Sequence, residues 1–511
     1  MAKKKNLIEA APVAGQTSRH HRRGQLTTTQ PVSLYELKPH RSYADNRDGT
    51  MEVYAAGERI RRYARHLEQN HDIAKGALDR LVQFIVGPSG IAIEPVPKNV
   101  TGEIHTEFQH QLRTAWREWC HFPEVTWEQD WIATQRLMCR SWLRDGECLA
   151  QLVVGTGPAI QHGSRVPFSL ELLEADLIPF NLNDPAKNIV NGVQRNAWNR
   201  PTTYWLYKLH PGGMVPGDFT AKSVPAEKIL HLKLTDRIGQ VRGVSVFASV
   251  LARLNDVYEY ETSERIAARM AASYTGSLKT EYPDPVSAGE VNQDRDLVMK
   301  PGTILDNLRP GESLDIVASN RPSALLEPFR ASQLRAVAAG LGTSYSSLAR
   351  DYNGTYSAQR QELVEGAGHY ESLSRIFINQ FIRPTWQTFV EAAIRSGVLT
   401  VPNDVDLLTV DHAEFQPPPI PWVDPVKEAT ALAIQLGNGL ISPQQAIRKL
   451  GGNPTEVLNL IKVWRDSCIA LGIPPDLGTA PVLPAQTPKD PPANPGNTDD
   501  KPPVTQTDDD Q

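Results

Sequence analysis

The apolar positions between residues 357 and 398 follow a helical spacing, but they form two stripes that do not line up. The first stripe consists of Leu373, Ile376, Phe377 and Phe381, and the second of Trp386, Phe389, Val390, Ala393 and Ile394. Residues three or four apart share a helix face, so each stripe predicts a packing surface. Pro384 lies between them, lacks an N–H and clashes with the preceding turn. The pattern predicts one long helix, kinked at Pro384 and closed by Gly397.

A polar stretch, residues 343–356, precedes this helix. Asp351-Tyr352-Asn353-Gly354 is typical of a turn, and Ser357 is suited to cap the helix that follows. Taken alone, the whole stretch favours a core helix with a proline bend. The alternative is a loop held out on a long bent helix, which would suit a mechanical part.

Helices and strands alternate in the first half of the chain. Residues 52–86 predict two helices with a boundary at Asn70-His71-Asp72, and residues 103–144 predict further helices. Residues 91–96 predict an edge strand, because they contain Pro95. Further strands are predicted at residues 148–154, 168–173, 202–209 and 229–234. We therefore expect an α+β fold that is mainly helical over the whole chain.

Four tryptophans in this region have helical spacing, namely Trp116, Trp119, Trp127 and Trp131. An aromatic surface on which nucleic-acid bases stack is one interpretation. Packing of amphipathic helices around a core is the ordinary one.

The next part of the chain predicts a helix, a small insert and a second helix. Ser245 begins a helix that runs to about Tyr274, and a polar insert with short strand-like pieces occupies residues 277–321. A second helix follows within residues 322–342, so the order predicts a protrusion on a stalk. One face of the first helix holds Glu259, Glu261 and Glu264. Such a face is typical of contact with solvent, although a subunit contact or a channel lining is also open.

The C-terminal part begins with a proline-rich linker at residues 417–421. Helices are predicted at residues 424–436, 442–450 and 454–471. Residues 474–511 are rich in Pro, Asp, Thr and Gln and contain too few large apolar residues to form a core. At the other end, residues 1–50 are basic and polar and predict a flexible arm, which orders on assembly or contacts nucleic acid.

The net charge, the cysteine content and the length of the apolar runs limit the functional class. A net charge of −5 over 511 residues argues against a dedicated nucleic-acid binder, but not against a protein that surrounds DNA without gripping it. Four scattered cysteines predict neither a disulfide framework nor a thiolate metal site. The basic N-terminus has no apolar segment of a secretory signal, and no apolar run reaches ~18 residues, so no transmembrane helix is expected.

Catalytic patterns are missing from the sequence. We find no phosphate-binding loop signature, no nucleophile-elbow pattern and no zinc-protease pattern. The histidines are scattered and predict structural roles. Asp351, Glu362 and Glu365 could act as paired carboxylates, but they also fit the start of a helix, where the dipole favours acids. We expect no enzyme activity, no metal and no cofactor.

Several short segments together resemble the portal proteins of lambda-like tailed bacteriophages. They are Arg62, Tyr63 and Asn70 of the early helix, Trp116 and Trp119, Arg144-Asp145-Gly146-Glu147, His231, the run from Arg237 to Gly243, Pro301-Gly302, Pro310-Gly311-Glu312, Leu334-Arg335, Gly340 to Gly342, Tyr356, Ser357 and Arg360, and Trp422 to Ala429. The resemblance covers about residues 50–470.

The resemblance implies a ring, usually of twelve subunits, at one vertex of the capsid, with an axial channel for DNA packaging and ejection. It implies a wing at residues 51–243, stem helices at 244–276 and 322–342, and a clip at 277–321 between them. Residues 343–356 would be the tunnel loop, 357–398 a kinked helix towards the crown, and 399–473 a helical crown. Residues 1–50 and 474–511 would be an arm and a disordered tail.

The resemblance also implies functional residues and partners. The candidates for the DNA-facing tunnel loop are Tyr345, Arg350, Asp351, Tyr352, Asn353 and Tyr356. Glu259, Glu261 and Glu264 are expected to face the channel or neighbouring subunits, because an acidic wall would let DNA slip whereas Lys and Arg bind phosphates.

The implied partners are other copies of the chain, double-stranded DNA bound without sequence specificity, the terminase large subunit that supplies the ATPase, head–tail connector proteins, and the major capsid and scaffold proteins. The implied location is the virion, after assembly in the host cytoplasm and without a membrane. Two alternatives remain open: a soluble nuclease or hydrolase with an unrecognised active site, and a non-viral ring-forming scaffold or adaptor.

Overall fold

The computed structural model describes residues 48–157, 160–214, 220–273, 277–280, 312–315, 325–419 and 424–473. Its helices are α1 (Gly49–Asn70), α2 (Asp72–Ile85), α3 (Thr106–Trp119), α4 (Trp131–Asp145), α5 (Leu251–Ser273), α6 (Leu326–Leu341), α7 (Tyr345–Ala349), α8 (Tyr356–Phe377), α9 (Arg383–Arg395), α10 (Pro425–Gly437), α11 (Pro443–Lys449) and α12 (Pro454–Ala470). Its strands are β1 (Ala92–Pro95), β2 (Glu147–Val154), β3 (Phe168–Leu173), β4 (Ile189–Val190), β5 (Val193–Arg195), β6 (Pro201–Tyr207), β7 (Ala221–Pro225), β8 (Ile229–Lys233), β9 (Ser277–Thr280), β10 (Glu312–Asp315) and β11 (Ala413–Gln416). The predicted α+β, mainly helical fold is confirmed.

The strands form small antiparallel sheets. A three-stranded sheet has the order β3-β2-β8, and a four-stranded sheet has the order β4-β5-β6-β7. The strands predicted at residues 148–154, 168–173, 202–209 and 229–234 correspond to β2, β3, β6 and β8. The short strands β4, β5 and β7 were not predicted, because two to five residues give little alternation to detect.

The larger core lies between the helices and the three-stranded sheet, and aromatic rings fill its centre. Trp116 stacks on Trp119 with 4.7 Å between ring centroids, and Trp119 stacks on Phe168 at 5.3 Å. Trp131 and Trp386 each make a T-shaped contact with the Trp116 ring. These four tryptophans are buried, whereas Trp127 is exposed. The packing interpretation is therefore confirmed, and a base-stacking surface made of Trp116, Trp119 and Trp131 is wrong.

A second, smaller core lies under the four-stranded sheet. Its buried members are Leu149, Ile178, Val193, Tyr204, Leu206, Val224, Ile229 and Val241. Leu149 of β2 and Ile229 of β8 belong to the three-stranded sheet, so this core joins the two sheets.

The long helix is interrupted before Pro384 rather than at it. Residues Ile378–Ile382 form a π-helical turn, in which the Arg383 N–H donates to the Ile378 carbonyl. Because Pro384 has no N–H and crowds the preceding turn, a wider turn relieves the conflict. The turn shifts the helix face, which explains the two stripes. All of their members are buried except Ile376, which is exposed, and Ile394, which is half-buried.

The π-helical turn also touches the sheet. The Gln380 side chain accepts a hydrogen bond from the Lys233 N–H at 2.8 Å and donates to the Lys233 carbonyl at 3.2 Å. Lys233 ends β8, which is an edge strand. A helix side chain thus pairs with the strand backbone.

The predicted stalk is present as two antiparallel helices. Arg330 of α6 binds Glu261 of α5 at 2.6 Å, and Arg253 of α5 donates to Gln333 of α6 at 3.0 Å. Beyond them β9 pairs with β10, which brings the two ends of the insert together. Most of the insert lies outside the described residues, as do residues 1–47 and 474–511.

The family resemblance assigned residues 399–416 to a helical crown, but these residues form no α-helix. They contain a 3-10 turn at Leu407–Thr409 and strand β11, which pairs antiparallel with β1. This pairing joins residues 413–416 to the segment predicted as the wing. The chain divides into two compact units between Ala431 and Leu432.

In the second unit, Ser442 caps α11 with a capping box and Asn453 caps α12, each followed by a proline, as the sequence predicts. No helix among the described residues is long and apolar enough to cross a membrane.

Candidate functional site

The predicted loop at residues 343–356 is partly helical. α6 ends at Gly342, whose φ of +63° suits glycine, and Ser344 then caps the short helix α7. Arg350 ends α7 with a left-handed φ of +57°. Thr355, not Ser357, caps α8 by accepting from the Ala358 N–H. The extended part of the segment is therefore confined to residues 351–355.

Two of the predicted loop tyrosines are bound to the body of the unit. The Arg335 guanidinium lies 4.9 Å from the ring centre of Tyr345. The Tyr352 hydroxyl accepts a hydrogen bond from Arg80 of α2 at 3.1 Å, and its carbonyl accepts one from Gln359 at 2.6 Å. These contacts lay the segment against α2, α6 and α8.

The other predicted loop residues differ in exposure. Arg350 and Asn353 are exposed, and the Asp351 carboxylate accepts from the Asn353 N–H at 3.3 Å. Tyr356 begins α8, and its side chain is outside the described part of the structure.

Glu362 holds the segment from the side of α8. Its carboxylate accepts hydrogen bonds from the N–H and the hydroxyl of Ser346. A cavity of about 250 Å³ lies beside this contact and is lined by Arg80, Phe84, Tyr352, Glu362 and Tyr370, among others. The cavity is a space between α2, α8 and the segment at residues 343–356.

The carboxylates considered as a catalytic pair each have a different partner. Glu362 binds Ser346, Glu365 accepts from Gln361 one turn away, and Asp351 caps its own turn. The described contacts therefore assign them structural roles.

The three stem glutamates differ in exposure. Glu259 is exposed and accepts from Asn255 at 2.8 Å, whereas Glu261 is half-buried in its ion pair with Arg330. Glu264 is buried. Only Glu259 is therefore open to a neighbour or a channel along its whole side chain.

A buried ion cluster connects segments that are distant in sequence. The Glu147 carboxylate is fully buried and accepts from Arg61 at 2.6 Å, from Arg242 at 2.8 Å and from the Gly243 N–H at 2.9 Å. His231 Nε2 lies 3.0 Å from the same carboxylate. The structural role predicted for the histidines fits His231, whereas Glu147 and Arg242, which contributed to the family resemblance, were not predicted to meet in one buried cluster.

Burial by itself would raise the pKa of Glu147. Arg242, the hydrogen bond from His231, and Arg61 outweigh that effect and hold the pKa well below its ordinary range. Burial lowers the pKa of His231, although the hydrogen bond to Glu147 acts against it. Glu147 is therefore a carboxylate at neutral pH.

Each nitrogen of the Arg242 guanidinium has a hydrogen-bond or ion-pair partner. Its guanidinium donates to the carbonyls of Ala175, Ile178 and Asn191 at 3.0–3.2 Å and lies 4.1 Å from the ring centre of Phe180. Two backbone segments, residues 175–178 and residue 191, thus converge on one side chain, which fixes the loop before α5 against the sheet.

Two glycines make this approach possible. A Cβ on Gly146, whose φ is +84°, would lie 2.2 Å from the Val244 carbonyl carbon, and a Cβ on Gly243 would lie 2.1 Å from the Gly146 carbonyl oxygen. The two backbones therefore pass closer than any side chain permits.

A second group of ion pairs extends the cluster. Arg65 of α1 binds both carboxylate oxygens of Asp145 at 3.0 and 2.8 Å and reaches Asp176 at 2.5 Å. Arg144 donates to Glu68 at 2.9 Å. Helices α1 and α4 are therefore joined by several charge-assisted bonds.

The residues with metal-ligand chemistry fit an ion pair better than a metal. Among the described residues, Glu174, Asp176 and His210 bring ligand atoms within 4.8 Å of one another. Arg65 lies 2.5 Å from Asp176 and 3.6 Å from Glu174, so a guanidinium already supplies the positive charge. Burial raises the pKa of Cys120, Cys139 and Cys148, which leaves these thiols protonated.

Comparison with known proteins identifies the class. The family described as "Phage portal protein, lambda family" matches residues 39–373. The probable portal protein of Halomonas phage phiHAP-1 is 27% identical over 447 residues, which cover 84% of each chain. Portal protein B of Escherichia phage lambda is 21% identical over 392 residues, which cover 68% of this chain and 72% of that protein.

Among solved structures, a chain from the neck of a native GTA particle, computed with C12 symmetry, covers 77% of this chain and 94% of its own length at 14% identity, with a TM-score of 0.42. The chain belongs to the lambda family of phage portal proteins.

Proposed function

We propose that this chain is one subunit of a portal ring at a single capsid vertex, through whose axial channel double-stranded DNA enters and leaves. The observation that supports it most directly is the family match over residues 39–373, which includes the ion cluster and the start of α8. The role is mechanical, and we infer that the ATPase resides in a separate terminase large subunit. Head–tail connector proteins and the major capsid and scaffold proteins are the further proposed partners.

The arrangement of the stalk supports an assignment of separate roles to the clip, the wing and the crown. Two antiparallel helices, α5 and α6, end at a paired β9 and β10. We propose that the insert at residues 277–321 is the clip that docks the motor and later the connector. The wing would then comprise residues 51–243 together with β11, and the crown would lie in the helices after residue 424.

We further propose that residues 343–356 are the tunnel loop. Support comes from their position between the stalk helix α6 and the long helix α8, and from the exposure of Arg350, Tyr352 and Asn353. α7 packs against the body, so a deletion restricted to residues 350–353 is the sharper test. Rings are expected to form normally, with impaired packaging or retention of DNA. Normal packaging and retention would refute this assignment.

The ring itself is tested by imaging the purified full chain and measuring its mass. We expect closed rings of about twelve subunits with a central hole, and a ring of neighbouring number, such as thirteen, agrees equally well. A monomer at high protein concentration would contradict the proposal. A soluble nuclease or hydrolase has little support from the described carboxylates. Asp351 and Glu362 line one cavity, but each is engaged in a local hydrogen bond, Asp351 with the Asn353 N–H and Glu362 with Ser346, and Glu365 bonds Gln361 instead.

A further inference from the structure

A basic cavity lies beside the four-stranded sheet. It has a volume of about 290 Å³, and its lining includes Arg195 of β5, Lys233 of β8 and Arg237 of the following loop. Among the described residues no carboxylate lines it. Arg237 pairs with Glu52 at 3.1 Å, but the Lys233 ammonium donates only to the carbonyls of Gln240 and Val241, at 3.0 and 3.1 Å. The cavity therefore has an excess of positive charge.

Arg195 adds an unmet donor to this cavity. Its Nε atom is buried and has no hydrogen-bond partner among the described residues. A buried donor without a partner costs free energy, and the positive charge of the half-buried Arg195 guanidinium acts on the cavity that this residue lines.

The rim of the cavity is apolar, which separates it from a simple phosphate site. Ile238 is fully exposed. Trp198 precedes the lining residue Asn199 in the turn between β5 and β6, and 90% of its surface is exposed. Exposed tryptophan next to arginine is typical of the centre of a protein–protein interface.

The chain itself presents a surface of matching chemistry. Residues 404–408 form an acidic and apolar turn, here called the acidic turn, in which Leu407 is 75% and Leu408 81% exposed. Asp404 is mostly exposed, 3.2 Å from His105, and Asp406 caps the turn by accepting from the Leu408 N–H. Carboxylates beside exposed leucines complement arginine beside exposed tryptophan and isoleucine.

The two surfaces belong to different parts of the same compact unit, because the acidic turn packs on residues 98–105 rather than on the cavity lining. The basic cavity borders β8, where the π-helical turn also binds. From there α9 packs across β2 and β3, and the Trp386 indole donates to the Asp411 carbonyl beyond the acidic turn. A head-to-tail contact in a ring uses two different surfaces of each copy, and the cavity and the acidic turn are two such surfaces.

We propose that the acidic turn of one copy docks on the basic cavity of the next, with Asp404 directed towards Arg195 and the leucines against Trp198 and Ile238. The proposal rests on the proposed function, because only a ring supplies a neighbour to every copy. It adds a specific contact, between the turn at residues 404–408 of one copy and the proposed wing of the next, to the general expectation of a ring.

Charge reversal tests the contact in the full-length chain. Arg195→Glu and Asp404→Arg are each expected to raise the protein concentration needed for half-maximal ring formation by on the order of tenfold, because each places like charges together. The double variant R195E/D404R is expected to recover most of that loss. The matched control is Lys222→Glu, which makes the same charge change at an exposed position of β7.

Ring fraction is read from electron micrographs and mass, and far-ultraviolet circular dichroism checks the fold. If R195E does not fold, Trp198→Ala replaces it, with the same expected decrease in rings. Rings of R195E and D404R at the wild-type concentration, or a double variant no better than the single ones, would overturn the contact while leaving the portal assignment intact. Loss of DNA binding by R195E with unchanged rings would assign the cavity to phosphate and also overturn it. Absence of rings in the wild type would instead refute the proposed function.

Discussion

The ion cluster around Glu147 and the segment at residues 344–355 are held in place by opposite means. Glu147, Arg61 and Arg242 are buried, and each bonds to groups on other segments. The segment is held by Tyr345, Leu348 and Ala349 of α7 against the core and by hydrogen bonds of half-exposed groups, chiefly Ser346 with Glu362 and Arg80 with Tyr352. Removal of one partner from a buried ion cluster is strongly destabilising, whereas the loss of one half-exposed hydrogen bond changes the stability little. A rigid frame and a detachable segment thus lie within the same unit.

The largest effect is expected from Glu147→Gln. The amide would leave Arg242 buried without its carboxylate partner and Arg61 with only Asp176, 3.3 Å away, so the free energy of unfolding should fall by roughly 3–5 kcal/mol. Denaturant unfolding of the purified chain measures it. The matched control is Glu118→Gln, because Glu118 pairs with Arg165 on the surface, and it should cost less than about 1 kcal/mol. If the two substitutions lowered the free energy of unfolding equally, the larger contribution assigned to the buried cluster would be wrong.

The same cluster predicts a loss of stability in acid. The folded pKa of Glu147 is depressed, so its contribution is complete above its unfolded pKa of about 4.3 and is lost as pH falls through the folded value. The pKa of His231 is also depressed, so the unfolded chain binds that proton first, and stability begins to fall below about pH 6.5. Unfolding measured from pH 7 to pH 3 should show this decline, with a smaller decline in E147Q below about pH 4.5. Parallel curves would contradict the assignment to Glu147.

A smaller effect is expected from Glu362→Ala. Loss of its bonds to Ser346 should lower the free energy of unfolding by only about 1 kcal/mol. The segment should nevertheless detach more often, so tryptic cleavage after the exposed Arg350 should be about fivefold faster. Glu365→Ala, one turn further along α8, is the control and should change neither. Unchanged cleavage in E362A would show that other contacts hold the segment.

The smallest effect is expected from removal of residues 474–511. Their composition offers few apolar groups to bury, so the fraction of chains in rings should equal that of the full-length protein. Electron microscopy of both forms measures it. Collapse of the rings would show that this part of the chain packs against the body.

The sequence predicted the long helices and strands but not the ion cluster. Helical spacing identifies α1 and α2 because each buries a regular stripe against its neighbours. Glu147 and Arg242 lie 95 positions apart and meet only through the backbone approach of Gly146 and Gly243, which no local pattern encodes. The same limit applies to α7: its cap Ser344 and the contact of Arg335 with Tyr345 depend on how α6 is placed.

The Gln380 side chain, paired with the backbone of Lys233, also protects the protein against aggregation. An unpaired strand edge is a template on which another chain can add a strand, and a crowded assembly brings many such edges together. At the end of β8 an amide from a helix already occupies the donor and the acceptor that an incoming strand would need. The sheet is closed to growth at that point, so copies can be concentrated side by side without fusing through it.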